Sequence, residues 1–266
     1  MTRWSCSANT VEFGTLGWIV AALAVLVTGI SKSGLGGALT GIAVPIMAIW
    51  ISPRDAAAVM LPVLIAIDWS GIGAWRGKAN WADLRWLFVA SVPGIVGGTL
   101  AFGVLPEALF KLLVGLIAVG FALDRLLRRN RPPQDAATPK PLLAVLAGAT
   151  SGFTSTIAHQ GGPPVVAYLL HRQMPRQMFA ATSVYFFAAL NLAKLPTYIG
   201  LGVFTKTTLI ASAALLPLAP LGAWLGVKVL SGIPEKPFYW FATAILGLTG
   251  AKLLWDVLSA GAILSP

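Results

Sequence analysis

Apolar runs near 20 residues long recur along the whole chain, each long enough to cross about 30 Å of hydrocarbon. The first, about Phe13–Ile30, meets a Gly-rich break, Thr28–Gly37, that carries one lysine. A short apolar piece, Ala38–Trp50 with Pro45, comes next. Spans follow at Ala56–Trp75, Trp86–Val104 and Ala108–Leu127, and then an Arg- and Pro-rich linker, Arg128–Lys140. The plan then repeats. A span at Pro141–Ala158 meets a second break, Thr156–Pro164, and a short piece, Pro163–Leu170. Three more spans lie at Met178–Leu201, Thr207–Leu230 and Phe238–Leu258. The pattern predicts an all-α polytopic membrane protein of two repeats, 1–127 and 141–266, joined by the linker 128–140.

Residue-level matches support a duplication. Pro53-Arg54 answers Pro175-Arg176 at an offset of 122, and Pro106-Glu107 answers Pro234-Glu235 at 128. Gly94-x-x-x-Gly98 answers Gly222-x-x-x-Gly226, a small-residue spacing that lets helices approach closely. Loop charge sets the sense of the repeats. With the linker 128–140 in the cytoplasm, the Arg76–Arg85 loop, Arg172, Arg176, Lys228 and Lys236 also fall inside. Corresponding loops then face opposite sides, which is inverted-repeat topology with a periplasmic N-terminus. The short pieces, about 9 to 13 residues, suit re-entrant half-helices better than full spans.

Composition narrows the function classes. Of the 266 residues 57% are hydrophobic and 11% charged, where a soluble domain carries about a quarter charged. The net charge of +10 lies in short loops and not on a folded basic face, so a nucleic-acid partner is not expected. Cys6 is the only cysteine, which excludes an intramolecular disulfide and a Cys-based metal site. Neither a metal nor a cofactor is expected, and the N-terminal apolar run reads as a retained helix.

The breaks carry the candidate chemistry. Unwound backbone at membrane depth persists only where it is buried or lines a cavity. Interrupted spans at matching places in two halves point to a transporter's binding site. Lys32, flanked by Ser31, Ser33, Gly34, Gly36 and Gly37, offers a charge, hydroxyls and free amides to a small oxyanion. The bland alternative ends the helix before Lys32 and lets it snorkel to an interface. The second break adds Thr156, His159, Gln160, Gly161 and Gly162, with Pro163-Pro164 suited to a first helical turn. Facing the first break, it completes an anion cage.

Asp68 and Lys194 are the ionisable groups deepest inside spans, Asp68 aligning best with Asn191. They and His159 are the proton-coupling or gating candidates, and Asn191 a substrate-binding one. A structural Asp68–Lys194 pair is the competing reading, and Thr182 and Tyr185 on the same helix as Asn191 are candidates for polar lining. Asp124 and Arg125 read as interfacial. An enzyme reading rests on a Ser31–Lys32 dyad or on Ser155 with His159, but neither is a complete constellation, and no enzymatic function is expected. An anion channel is the nearer alternative.

The sequence resembles the TauE/SafE family of sulfite exporters at both breaks. Gly29-Ile-Ser-Lys-Ser-Gly-Leu-Gly-Gly37 with Pro45 is similar to its first signature. Gly152-Phe-Thr-Ser and Gly161-Gly-Pro-Pro-Val-Val-Ala-Tyr-Leu-Leu170 are similar to its second. The likeness takes in Phe179, Asn191, Lys194 and Tyr198, while Lys32 departs from the commonest pattern. It implies secondary transport of sulfite, thiosulfate, a sulfonate such as sulfoacetate, or a related organic anion across a bacterial inner membrane, with proton coupling.

Overall fold

The computed structural model describes residues 14–34, 50–102, 141–232 and 234–259, with scattered positions in 37–47 and 108–127. Gly36, the linker 128–140, Asp124, Arg125, the Pro106-Glu107 turn and residues 1–13 lie outside the described residues. The helices are α1 (Thr15–Gly34), α2 (Ala43–Met47), α3 (Pro53–Ala74), α4 (Trp81–Ala101) and α5 (Pro141–Ala158). Then come α6 (Gly162–Arg172), α7 (Arg176–Gly200), α8 (Lys206–Leu215), α9 (Leu218–Gly232) and α10 (Glu235–Ser259). The described residues contain no strand.

Four of these helices are long and apolar enough to cross a membrane, or five if the bent pair α8–α9 is one span. Their outward faces are apolar: Leu16, Ile19, Leu23 and Val27 on α1, and Val89, Val92, Val96 and Leu100 on α4, are all exposed. A protein in water hides such rows, whereas in a bilayer they meet lipid. The polar side chains are instead turned inward.

Two differences from the expected spans have local causes. Helix α1 does not end at Ile30 but runs to Gly34, which leaves Lys32 inside helix and 1% exposed. The snorkelling alternative is thereby overturned. The expected span 207–230 is bent by 43° between α8 and α9. Pro217 sits at that joint, where it has no N–H to donate and its ring crowds the preceding turn.

Packing exchanges helices between the halves. One apolar core joins α1, α2 and α3 to Ala211, Leu215, Ala219 and Ala223 of α8 and α9. The other joins α5, α6 and α7 to Leu87 and Ile95 of α4. Each half's first three helices thus pack against one face of the fourth helix of the other half. The glycine spacings make this possible. A Cβ on Gly226 would stand 2.6 Å from Ile30 O, and one on Gly98 2.8 Å from Phe153 O. Ile30 and Phe153 are themselves 123 positions apart (153 − 30), so the two seams correspond residue by residue.

Candidate functional site

The breaks are built alike. Gly37 N donates to Ser31 O at 2.9 Å, and Gln160 N to Thr154 O at 3.4 Å. Donor and acceptor pairs are again offset by 123 (160 − 37 and 154 − 31). Closing each loop this way takes the amide that would have served Ser33 O or Thr156 O in a continuing helix. An aromatic donor replaces it: Trp75 Nε1 bonds Ser33 O at 3.1 Å, and Tyr198 OH bonds Thr156 O at 2.9 Å. Each donor comes from the end of the long third helix of the same half. Gly37 has φ of +81° and His159 has φ of +53°, so among the described residues each loop contains one in the left-handed region. A histidine in that region is uncommon, and here it turns the ring into the protein interior.

Lys32 lies at the end of α1 against Asp68 of α3, with Nζ 2.7 Å from Oδ1 and 2.9 Å from Oδ2. Asn191 of α7 donates to the same Oδ2 at 2.7 Å. The Lys32 ammonium also stands 5.1 Å from the centre of the Phe187 ring. All three polar residues are buried. A charge in such surroundings needs a partner, and here pairing and hydrogen bonding supply one. The competing reading of an Asp68–Lys194 pair is therefore corrected, because Asp68 is held by Lys32 and Asn191.

One turn along α7 from Asn191, Lys194 Nζ donates to Ser155 O at 3.1 Å and to Ser155 Oγ at 2.9 Å. It also meets His159 Nδ1 at 2.9 Å. His159 Nε2 is 2.9 Å from Ala57 O, and a carbonyl only accepts, so that nitrogen carries the hydrogen. Pro62 explains part of this contact. It cannot donate to Ala58 O, and the carbonyls on either side take donors from the other half: His159 at Ala57 and Ser212 at Val59, 2.9 Å.

The structure thus brings Lys32, Asp68 and Asn191 into one group, and Thr156, His159 and Lys194 into a second. Ser31, Ser33, Gly34, Gly37, Gln160, Gly161 and Gly162 are buried beside them. Ser33 Oγ and Gln160 Oε1 have no hydrogen-bond partner among the described residues. Two expected anion glycines serve packing. A Cβ on Gly34 would meet Gly226 O at 2.6 Å, and one on Gly161 would meet Ser151 Oγ at 2.6 Å. Thr182 and Tyr185 add no lining here, since Thr182 accepts from Asn80 N at 2.9 Å and Tyr185 packs edge-on against Trp81. Of the enzyme-like groups, Lys32 is held by Asp68, and the two His159 nitrogens meet Lys194 and Ala57.

Phe187 escaped the sequence reading because nothing marks one phenylalanine among apolar neighbours. A second buried ionic group escaped it too. Asp83 in the first turn of α4 accepts from Tyr168 OH and from Arg172 Nε at 3.1 Å, and both charged side chains are shielded from solvent. Asp83 and Arg172 sit in polar stretches that read as loops, so their burial has no signature in sequence.

Helices with lipid-compatible faces around a buried ionic centre define a multi-pass membrane protein of transporter type. Residues 21–253 match the family model described as sulfite exporter TauE/SafE, and the chain belongs to that family. Comparison with curated proteins and with solved structures gave no match.

Proposed function

We propose that the protein is a secondary transporter of a small anion, working by alternating access with a proton as coupling ion. The substrate is sulfite, thiosulfate, a sulfonate such as sulfoacetate, or a related organic anion. It binds between residues 31–37 and 156–162, and one half rocks against the other. The observation that carries this reading is the charge of the buried centre. Among the described residues the centre holds two lysines, Lys32 and Lys194, and one carboxylate, Asp68, which pairs with Lys32, so with both lysines protonated one positive charge is in excess. An intramembrane charge of this kind marks a transport pathway, and an anion neutralises it.

The exchanged fourth helices and the matching loops support inverted repeats, in which the two breaks meet across a pseudo-two-fold axis. Loop charge then puts the N-terminus in the periplasm and the linker 128–140 in the cytoplasm of an inner-membrane protein. Uptake of labelled sulfite into proteoliposomes, with and without an imposed pH gradient, tests the reading, with Lys32→Ala as control. Uptake that follows the gradient and fails in the variant supports it. Uptake indifferent to the gradient assigns a channel or uniporter. No uptake of sulfite, thiosulfate or sulfonates by folded, inserted protein overturns it.

A further inference from the structure

Asp68, His159 and Lys194 are the buried groups of the centre that the sequence offers as proton carriers, and their contacts separate them. Both oxygens of Asp68 face the Lys32 ammonium at 2.7 and 2.9 Å, and Oδ2 also accepts from Asn191. A proton arriving at Oδ2 would face two hydrogens already in place. Oδ1 lies at ion-pair distance from Lys32 without a hydrogen bond, and a proton there would cancel the charge that holds the buried Lys32 ammonium. His159 is equally committed. Its Nε2–H serves Ala57 O, and its Nδ1 lone pair meets Lys194. A second ring proton would point at the Lys194 N–H.

Lys194 is different. Its neighbours are Ser155 O at 3.1 Å, Ser155 Oγ at 2.9 Å and His159 Nδ1 at 2.9 Å. As an ammonium, its three N–H groups donate to those three acceptors. As an amine, two N–H groups keep Ser155 O and His159 Nδ1, and the Ser155 hydroxyl donates into the nitrogen lone pair. Between the two states only one hydroxyl hydrogen rotates, and no heavy atom has to move. The other charged or titratable groups around it are Lys32 on α1, Asp68 on α3, His159 at the second break and Tyr198 on α7. None is a carboxylate in ion-pair contact with Lys194 among the described residues.

We infer that Lys194 takes up and releases the proton that accompanies the anion, and that the anion is a singly charged oxyanion seated against Lys194 and Ser155. This rests on the transporter reading above. In the amine state Lys32 and Asp68 cancel and the centre is neutral. A proton from the entry side adds to the Nζ lone pair, no heavy-atom bond forms or breaks, and the new charge is balanced only by the anion. The Ser155 hydroxyl, released from the lone pair, turns its hydrogen to the oxyanion. On the exit side proton and anion leave together, so the cycle moves no net charge.

The test uses proteoliposomes holding a trapped pH dye. Sulfite counterflow at equal pH is compared with proton influx during sulfite uptake, for wild type, Lys194→Arg and Ser155→Ala. Arginine stays charged throughout, and alanine removes the hydroxyl that meets the amine. In both variants the proton influx that accompanies sulfite is expected to vanish, while counterflow persists at a reduced rate. Ser155→Ala removes a single oxygen and keeps the test open if the bulkier arginine does not fold. Wild-type proton influx per sulfite in either folded variant overturns the assignment. Loss of counterflow in both also overturns it and leaves Lys194 a structural role. A wild-type protein that moves no anion in either mode instead overturns the transporter reading itself.

Discussion

Asn191 donates to the Asp68 carboxylate at 2.7 Å although 123 residues separate them. That separation is the same offset that relates the two breaks and their aromatic donors. The two residues therefore hold equivalent places in the two halves and meet each other. One has kept a charge where the other has an amide. The same kind of divergence holds for the lysines: Lys32 corresponds to Ser155 and Lys194 to Gly71 (155 − 32 and 194 − 71). Each half presents one cation at the contact between its first and third helices, but from opposite sides of that contact.

Breaking the Lys32–Asp68 pair from one side is expected to be costlier than removing both charges. Lys32→Met or Asp68→Leu leaves a buried charge alone and should cost about 3–5 kcal/mol, whereas the double variant should be milder than either. Thermal unfolding of the four proteins in detergent checks this through a double-mutant cycle. Additive losses would mean that the pair is not coupled.

The glycine seams should respond as a matched set. Gly98→Ala and Gly226→Ala each push a methyl against a backbone carbonyl of the partner helix and should destabilise by about 1–3 kcal/mol. Gly73→Ala, with nothing within 4 Å of the added carbon, should be neutral or stabilising. Melting temperatures of the purified variants decide the matter, and a harmless Gly226→Ala would contradict the close approach.

Removing the aromatic donors should loosen the breaks selectively. Trp75→Phe and Tyr198→Phe each leave one buried carbonyl, Ser33 O or Thr156 O, without its side-chain donor, a penalty of about 1–3 kcal/mol. Hydrogen exchange followed by mass spectrometry should show faster exchange in residues 31–37 for the first and 154–162 for the second. Unchanged exchange in the corresponding peptides would rule out the bracing role.

Asp83→Asn is expected to destabilise the contact of α4 with α6 by about 1.5–3 kcal/mol, because the buried Arg172 guanidinium then loses the charge of the Asp83 carboxylate. The fraction of protein that survives detergent extraction as a monodisperse peak reads the effect. Wild-type behaviour would place Arg172 in contact with water.

Much of the architecture was legible in the sequence because lipid imposes a coarse rule on span length. The bounds of α5 were read as they stand, those of α6 and α7 were close, and the matched prolines and glycines gave the expectation of two repeats. Partner identity was not legible. Hydropathy places Lys32, Asp68 and Lys194 at similar depth but carries no information on which helix faces which, so the pair weighed there as the competing reading joined Asp68 to Lys194 and not to Lys32. The bend at Pro217 was missed because the apolar run continues on both sides of it. Asp83 and Arg172 were missed because a buried polar residue near a span end has the same one-dimensional context as a solvated one.

The exchange of fourth helices also bears on how the chain is made. Gly29 and Gly34 of α1 rest on Gly222 and Gly226 of α9, which emerge from the ribosome long afterwards. The first half therefore enters the bilayer with one face unfinished, its tight glycine groove filled by lipid or by an insertion factor. Only when α9 arrives does that groove close. Assembly of this protein is consequently a late, whole-chain event, and a truncation before α9 is expected to be cleared by quality control, not to accumulate as a half-carrier.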